Sequence, residues 1–505
     1  MKRRTNLARA VRAALVIAPV SLFTTVSAQQ GLNNLWMMGF DSHVGIPWGG
    51  TNIDFFTGTA DIYYQPRAIG FKRTSANISE VNGELLFSTN GAFIANATGD
   101  TMLNGNDLNP SWYTSQYPGG LHLSQACLIL PKPDSPGIYY LLHGTIDNPP
   151  GPNATYLYLS TIDMALDGGL GGVVSKNQVL IADALNTGRL TAVRHANGRD
   201  WWVFCHKVGT NIFYRLLVTP GGVTVDGTQS IGIVRPPDNG QACFSPDGSK
   251  FAYYCGFTVD LEIFDFDRCT GLLFNPVHIP INDANSMGGV AFSPNSRYLY
   301  VSSLEDVYQY DTEAPNIAAS MVHIAEWDGF YSPSPPFATM FDIAQLAPDG
   351  KIYIATGNGT DKLHVINDPD QPGMACDIQQ HAITLPTYNT NSLPNHPNYH
   401  LGPVVGSLCD SLDLGTGMAA QQVLLGVQAY PNPSKGQFNL NYPVQPEAGI
   451  LEVLDMQGRV VYQSRLAAWS QVHRVALGGE AAGMYQCRLR WGARSISTRI
   501  IITEP

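Results

Sequence analysis

The strongest fold signal in the sequence is CFSPDGSKFAYYC at residues 243–255, which combines an apolar triplet, a Pro-Asp-Gly turn and an alternating aromatic run. The pattern returns as AFSPNSRYLYV at 291–301 and as QLAPDGKIYIA at 345–355. Weaker copies are centred on Gly83, Gly137 and Gly198. Asp-Gly and Asn-Gly pairs tolerate positive φ, and runs of Tyr, Phe, Val and Ile suit a pleated sheet. Each copy therefore predicts two antiparallel strands joined by a tight turn.

The spacing of these turns indicates a repeat architecture. The six turn centres at 83, 137, 198, 248, 296 and 350 recur about every 53 residues. A period of about 40–55 residues with several short strands per copy is typical of β-propeller blades. Residues 32–405 would hold seven such copies, so the seventh must come from residues 35–64, with sharing between the two chain ends left open. The predicted fold is an all-β, seven-bladed β-propeller over residues 29–410, with a β-sandwich as the alternative.

The chain begins with the features of an export signal. Lys2 and four arginines precede an apolar stretch at 13–23, which is followed by Val-Ser-Ala at 26–28. This order predicts a signal peptide over residues 1–28. The apolar stretch is shorter than the roughly 18 residues that a membrane-spanning helix needs, and no later segment of the sequence is long and apolar enough to span a bilayer.

The repeat pattern ends near residue 410, and a different strand pattern follows. The segment GTGMAAQQ at 415–422 has no periodicity, so we expect a linker over residues 411–428. Three units then occur, AYPNPSKGQFNL at 429–440, LEVLDMQGRVV at 451–461 and GMYQCRL at 483–489. Their alternation and their turn residues predict a small antiparallel, immunoglobulin-like β-sandwich over residues 429–505.

These C-terminal motifs resemble the type A sorting domain of the type IX secretion system of Bacteroidetes. The matching positions are Tyr430, Pro431, Asn432, Pro433, Ser434, Gly436, Asp455, Gly458, Gly483 and Tyr485. Cys487 within the last motif departs from the pattern. The resemblance implies passage through the periplasm and across the outer membrane, with the secretion machinery and its sorting peptidase as partners. It also implies a secreted or outer-surface location, often with attachment to a surface glycolipid.

The preceding region resembles the N-terminal part of some large surface proteins that carry the same sorting domain. The shared phrases are GELLF at 83–87, LPKP at 130–133, FDFDRCTG at 264–271 and PNYHLGP at 397–403. This resemblance implies a propeller and no particular activity.

The predicted mature chain is strongly acidic. Without residues 1–28 it has 24 basic and 40 acidic residues, a net charge of −16, whereas the whole sequence carries −11. Residues 29–428 carry −19 and residues 429–505 carry +3. Because such an acidic body repels phosphate backbones, we do not expect nucleic acid as a partner.

The eight cysteines are an even number, which suits disulfide formation in an exported protein. Cys255 and Cys269 flank one strand–turn unit, and Cys376 and Cys409 flank the last blade and its exit. We therefore expect disulfides between Cys255 and Cys269 and between Cys376 and Cys409. The resemblance supports the first pair, because Cys269 lies in the phrase FDFDRCTG.

The sequence has no recognisable catalytic, nucleotide or metal motif. Gly-x-Ser-x-Gly, Gly-x-Gly-x-x-Gly and the P-loop are absent from it. The carboxylate pairs Asp265/Asp267 and Glu326/Asp328 would suit glycoside hydrolysis, with solvated turns as the alternative. We expect no cofactor. A structural calcium at residues 104–107 or 282–285 is the alternative, although neither segment has EF-hand spacing.

One aromatic loop suggests ligand binding. Trp112, Tyr113, Tyr117 and His122 surround Pro-Gly-Gly at 118–120. Such rings on a propeller face can stack on sugars, or they can cover the edge of the core. We therefore expect a binding or adhesion protein for an extracellular glycan or protein. The alternative is a secreted propeller hydrolase or lyase acting on polysaccharide or peptide. An enzyme should show acids from several blades converging on the central channel.

Overall fold

The computed structural model describes three parts of the chain. These are residues 31–147, residues 153–410 apart from 259, 282, 284–286, 335 and 405, and residues 427–503 apart from 443–447, 467–471, 480 and 493. The predicted signal peptide and nearly all of the predicted linker lie outside these residues. Within the described parts, the structure contains no helix long and apolar enough to cross a bilayer.

The first part of the fold consists of seven antiparallel sheets that follow one another along the chain, two of three strands and five of four. The first three sheets are β1 (Leu35–Met38), β2 (Gly50–Asp54) and β3 (Asp61–Gln65); β4 (Ala76–Ser79), β5 (Leu85–Thr89) and β6 (Ile94–Asn96); and β7 (Cys127–Pro131), β8 (Ile138–His143), β9 (Asn153–Asp163) and β10 (Gly172–Asn186). The next two are β11 (Thr191–Arg194), β12 (Trp201–His206), β13 (Thr210–Thr219) and β14 (Gly222–Arg235); and β15 (Gly240–Phe244), β16 (Lys250–Cys255), β17 (Asp260–Asp267) and β18 (Leu272–Pro280). The last two are β19 (Gly289–Phe292), β20 (Tyr298–Ser303), β21 (Asp306–Asp311) and β22 (Val322–Glu326); and β23 (Phe341–Leu346), β24 (Ile352–Thr356), β25 (Gly359–Ile366) and β26 (Ile378–Thr390). Helical segments are short: α1 (Trp112–Gln116) and 3-10 turns at Gly31–Asn33, Asp167–Gly169, Ala318–Ser320 and Gly373–Cys376.

The repeated turns have the backbone conformation that the sequence predicts. All six turn centres lie between the first two strands of a sheet and have positive φ, from 65° at Ser296 to 87° at Gly83. The five glycines among these turn centres adopt positive φ without a steric penalty, whereas Ser296 adopts it with a side chain present. The seven-bladed, all-β propeller is confirmed.

The ring closes where the seventh sheet packs against the first. Trp36 lies 5.7 Å from Tyr353, measured between ring centroids, and both belong to one buried cluster that also contains Leu393. Thr51 and Thr387 hydroxyls are 2.7 Å apart. Buried apolar residues fill each interface between neighbouring sheets in the same way, as in the cluster that joins sheets five and six. Stacking of adjacent blades therefore forms the core.

The two ends of the propeller carry different connections. At the end that we call the turn face, the turns between the first two strands of sheets two to seven meet, for example where the Asp247 N–H donates to Ser296 Oγ at 3.0 Å. At the opposite end, links between sheets touch links between second and third strands, for example where the Phe341 N–H donates to Leu304 O at 2.7 Å. We call this end the long-loop face, because residues 106–126 and 327–340 belong to it.

The C-terminal part is a two-layer sandwich. Its strands are β27 (Gln428–Tyr430), β28 (Gln437–Asn441), β29 (Gly449–Leu454), β30 (Val460–Leu466), β31 (Val472–Ala476), β32 (Gly483–Trp491) and β33 (Arg494–Ile502). They form a three-stranded sheet, β27-β28-β31, and a four-stranded sheet, β30-β29-β32-β33. Phe438 and Val475 of one sheet and Leu451, Leu489 and Ile500 of the other are buried in a shared core. The predicted sandwich is confirmed.

Candidate functional site

Amide side chains fill the propeller axis. Asn395 Nδ2 donates to the backbone oxygens of Cys127 and Leu190, each at 2.9 Å. Gln125 Nε2 donates to Ala242 O at 2.8 Å and to Asn395 Oδ1 at 3.3 Å. Gln241 joins sheets five and seven, because its Nε2 donates to Ala344 O at 2.6 Å and its Oε1 accepts from the Ala344 N–H at 3.0 Å. The segment after β26 thus acts as a plug that links several blades.

We expect Asn395→Ala to lower the free energy of unfolding by about 3 kcal/mol, because two buried carbonyl oxygens and Gln125 lose a partner. The matched control is Asn398→Ala. Asn398 is half-buried, and its side chain donates to Pro246 O at 2.8 Å and accepts the N–H of the exposed His400 at 3.0 Å. Because neither bond joins blades at the axis, we expect a loss of only about 1 kcal/mol. Denaturant unfolding of both variants checks this prediction, and equal losses would contradict the central role of Asn395.

A buried ion pair closes the axis toward the long-loop face. Arg73 Nη2 lies 3.2 and 3.3 Å from the two carboxylate oxygens of Asp342, whose side chain is fully buried. Asn391 Nδ2 donates to the same carboxylate at 2.5 Å. Burial raises the pKa of the Asp342 carboxyl, and the charge of Arg73 opposes that change. No local sequence pattern indicates this pair, because Arg73 and Asp342 belong to opposite ends of the propeller sequence.

The acids singled out in the sequence have separate structural partners. Asp265 pairs with Lys250 Nζ at 2.9 Å, while Asp267 accepts the Cys269 N–H at 2.9 Å. Asp328 lies 2.9 Å from His381 Nε2, and Glu326 is exposed. Neither pair is directed at the axis, where Asp342 is tied to Arg73. The described residues therefore offer no set of free carboxylates from several blades around the channel.

The predicted aromatic loop lies on the long-loop face. Ser111 caps helix α1, because its Oγ accepts the Thr114 N–H at 3.1 Å. The rings of Tyr113, Tyr117 and His122 form a row with centroids 4.7 Å apart at each step. Burial and then the charges of Lys72 and Arg73 lower the pKa of His122, which favours the neutral imidazole. The structure thus brings three of the four predicted residues together.

Exposed aromatic rings are concentrated on this face. Five exposed large aromatic side chains of the described residues lie on its loops: Trp112, Tyr117, Phe257, Tyr331 and Phe337. Trp112 is 50% exposed and Tyr331 is 55% exposed. Phe56, which is 55% exposed, lies against the Gly83 turn on the turn face. Of these five rings, Trp112 and Tyr117 belong to the aromatic loop expected from the sequence, whereas Phe257, Tyr331 and Phe337 do not.

The turn face has a cavity of about 300 Å³ at the axis. Phe244, Phe292 and Leu346, which end the first strands of three successive sheets, line it together with His396 of the plug. Burial lowers the pKa of His396 to about 4, and its Nε2–H donates to Asn77 O at 2.8 Å. This neutral histidine therefore serves to hold the plug.

The suggested calcium segments remain a prediction. Within residues 104–107, the carbonyl oxygens of Asn104 and Asn106 accept from Lys176 Nζ at 3.1 and 2.7 Å. Residues 282 and 284–285 of the other segment lie outside the described residues. No group of three metal-ligating His, Cys, Asp or Glu side chains occurs among the residues that are described.

Both predicted cysteine pairings were wrong. The disulfide joins Cys269 to Cys409, with a Cα–Cα distance of 5.7 Å, whereas Cys255 and Cys376 are free and buried. The Cys255 thiol points into the interface with sheet four, where it accepts from Arg189 Nη1 at 3.1 Å and Arg235 Nη1 at 3.0 Å. Cys269 lies on the turn face instead, where the chain passes after the plug.

The sorting motif holds the sandwich together. Asn432 Nδ2 donates to Arg499 O, and the Ile501 N–H donates to Asn432 Oδ1, each at 2.9 Å. Ser434 Oγ donates to Gln437 O at 2.8 Å. Asp455 accepts the Gln457 and Arg459 N–H groups in the turn that contains Gly458, and Tyr485 Oη donates to Ala481 O at 2.7 Å. Cys487, the departure from the motif, is buried in the core.

Comparison with known proteins adds the following findings. No curated protein matches the sequence. The propeller is similar to a putative 6-phosphogluconolactonase of Bacteroides fragilis (12% identity, TM-score 0.45, covering 73% of this chain and 98% of that chain). It is also similar to a periplasmic gluconolactonase of Pseudomonas aeruginosa (13% identity, TM-score 0.40, covering 72% and 100%). Likenesses at this level carry no argument about activity.

The C-terminal part has a family match. Residues 428–503 match the family described as "Secretion system C-terminal sorting domain", which agrees with the type IX motifs and with the observed sandwich. Such a domain implies secretion to the outer surface or the extracellular space. Residues 428–503 are therefore a secretion sorting domain attached to a seven-bladed β-propeller.

Proposed function

We propose that the exported protein binds an extracellular glycan or protein ligand through its long-loop face. The observation that carries this proposal is the concentration of exposed aromatic rings there, with the row Tyr113–Tyr117–His122 beside Trp112. Aromatic faces exposed on rigid loops suit stacking on sugar rings or on apolar side chains. The Lys72–Asp41 ion pair, at 3.3 Å, places hydrogen-bonding groups near His122 for ligand hydroxyls.

The same proposal includes the fate of the exported chain. The sorting peptidase would remove residues 429–505, and the propeller would be released or attached to a surface glycolipid. The type IX motifs support this route.

We expect Trp112→Ala and Tyr117→Ala each to weaken ligand binding about tenfold, because a lost stacking contact costs about 1.4 kcal/mol. The ligand is first identified by applying the purified full chain to glycan and peptide arrays. The matched control is Phe56→Ala, since Phe56 is at least as exposed as Trp112 and Tyr117 but lies on the turn face. Equal weakening by Phe56→Ala would contradict the site.

The hydrolase or lyase alternative has its own readout in this experiment. Turnover of an array hit that is abolished by Asp342→Asn, in a variant that still melts as the wild type does, would favour the enzyme. Reversible binding without turnover would favour the binding protein.

A further inference from the structure

The outward side of the four-stranded sheet in the sorting domain is rich in arginine. Side chains alternate across each strand, so Leu451, Val453, Leu489 and Ile500 enter the core while their neighbours face outward. The outward arginines are Arg465 on β30, Arg488 and Arg490 on β32, and Arg499 on β33. Arg488 and Arg490 are 38% and 45% exposed, and the other two are also exposed.

Strand register places these cations close together. Ile450 on β29 is paired with Arg465 on one side and Arg490 on the other. One residue pair further along, Glu452 accepts from Arg488 at 2.8 Å and from Arg490 at 2.9 Å. Arg499 is paired with Gln486, which faces outward beside Arg488. The four arginines and the single glutamate therefore form one patch, which we call the arginine face.

The arginine face accounts for the net charge of the whole domain. Residues 429–505 contain eight basic and five acidic residues, a net charge of +3. Four arginines against Glu452 also give +3, so the remaining four basic and four acidic residues cancel. The fold does not require this concentration of arginines on one side of the sandwich, because the single Glu452 pairs with only two of the four, Arg488 and Arg490. A partner of opposite charge would explain it.

The composition of the arginine face favours a protein partner with surface carboxylates. All four cations are Arg, whose planar fork binds carboxylates bidentately, and Lys is absent from the face. Exposed Ile450, Met484 and Ile501 lie among them, and Arg with apolar side chains is typical of protein interfaces. The three-stranded sheet is not free in the same way, since its Asn439 and Arg474 line a cavity together with Asp247 and Asp265 of the propeller.

We propose that the arginine face docks on a carboxylate-lined protein surface of the secretion machinery and that this contact is needed for export. The inference concerns the export route and does not depend on the ligand of the long-loop face.

The experiment compares two triple variants of the full chain, expressed in a bacterium with a working type IX system. The face variant carries Arg465→Gln, Arg490→Gln and Arg499→Gln, and it keeps the Arg488–Glu452 pair. The control variant carries Lys435→Gln, Arg474→Gln and Arg494→Gln, which are exposed positions off the face. Both lose three positive charges, so an effect of net charge alone would be the same in both.

We expect the face variant to reach the medium or cell surface about tenfold less than the wild type and to accumulate in the periplasm, because three interfacial ion pairs are lost together. The control variant should be exported within about twofold of the wild type, which corresponds to about 0.4 kcal/mol. Purified face variant should melt at the wild-type temperature, which separates docking from folding.

Three results would overturn the proposal. One is normal export of the face variant, and the second is equal loss of export in the control variant. The third is a wild-type chain that sediments with vesicles containing phosphatidylglycerol while the face variant does not, which would assign the arginine face to anionic lipid.

Discussion

Removal of residues 429–505 is expected to leave the propeller folded and to abolish its appearance outside the cell. The two parts have separate cores, because no buried cluster of the described residues contains side chains from both the propeller and the sandwich. The Cys269–Cys409 disulfide also stays in the truncated chain. Cell fractionation should find the truncated protein in the periplasm.

The melting temperature provides the control for this experiment. A purified truncated propeller that melts with the propeller transition of the full chain shows that trapping is not caused by misfolding. Truncated protein outside the cell at wild-type levels would refute the role of the sorting domain.

Loss of the Cys269–Cys409 disulfide is expected to cause the largest change in stability. The bond joins residues 140 positions apart. It ties the segment that leaves the propeller to the turn between β17 and β18 of sheet five. In the chain-entropy model, closing a loop of this length stabilises the fold by about 5 kcal/mol, although measured values are often about 2–4 kcal/mol. Denaturant unfolding of the Cys269→Ser/Cys409→Ser variant measures this difference.

A reductant provides the matched control. It should shift the unfolding midpoint of the wild type to that of the double variant and leave the double variant unchanged, because Cys255 and Cys376 are free. Peptide mapping of the unreduced protein that found Cys255 bonded to Cys269 would contradict the structure and restore the pairing expected from sequence.

Much of the fold is determined by the sequence alone, because its signals are local. A turn such as Ser-Pro-Asp-Gly at 245–248 requires positive φ at its last residue, and the aromatic alternation that follows requires a sheet. Six repeats of these signals, about 53 residues apart, together with the length of residues 32–405, predict seven blades. The sorting domain is recognisable for the same reason, since Ser434 and Asp455 each bond within their own turn. Asn432, by contrast, bonds to Arg499 on β33, 67 positions away.

Contacts between residues far apart in the chain follow from the tertiary structure and not from local sequence patterns. Cys255 and Cys269 are close in sequence, but Cys255 faces Arg189 and Arg235 inside a blade interface, while Cys269 lies on the turn face beside Cys409. Asn395 reaches Cys127 across 268 positions. Such contacts depend on the summed rotation of successive blades around the axis, and that sum is fixed by packing between sheets, which no local pattern records.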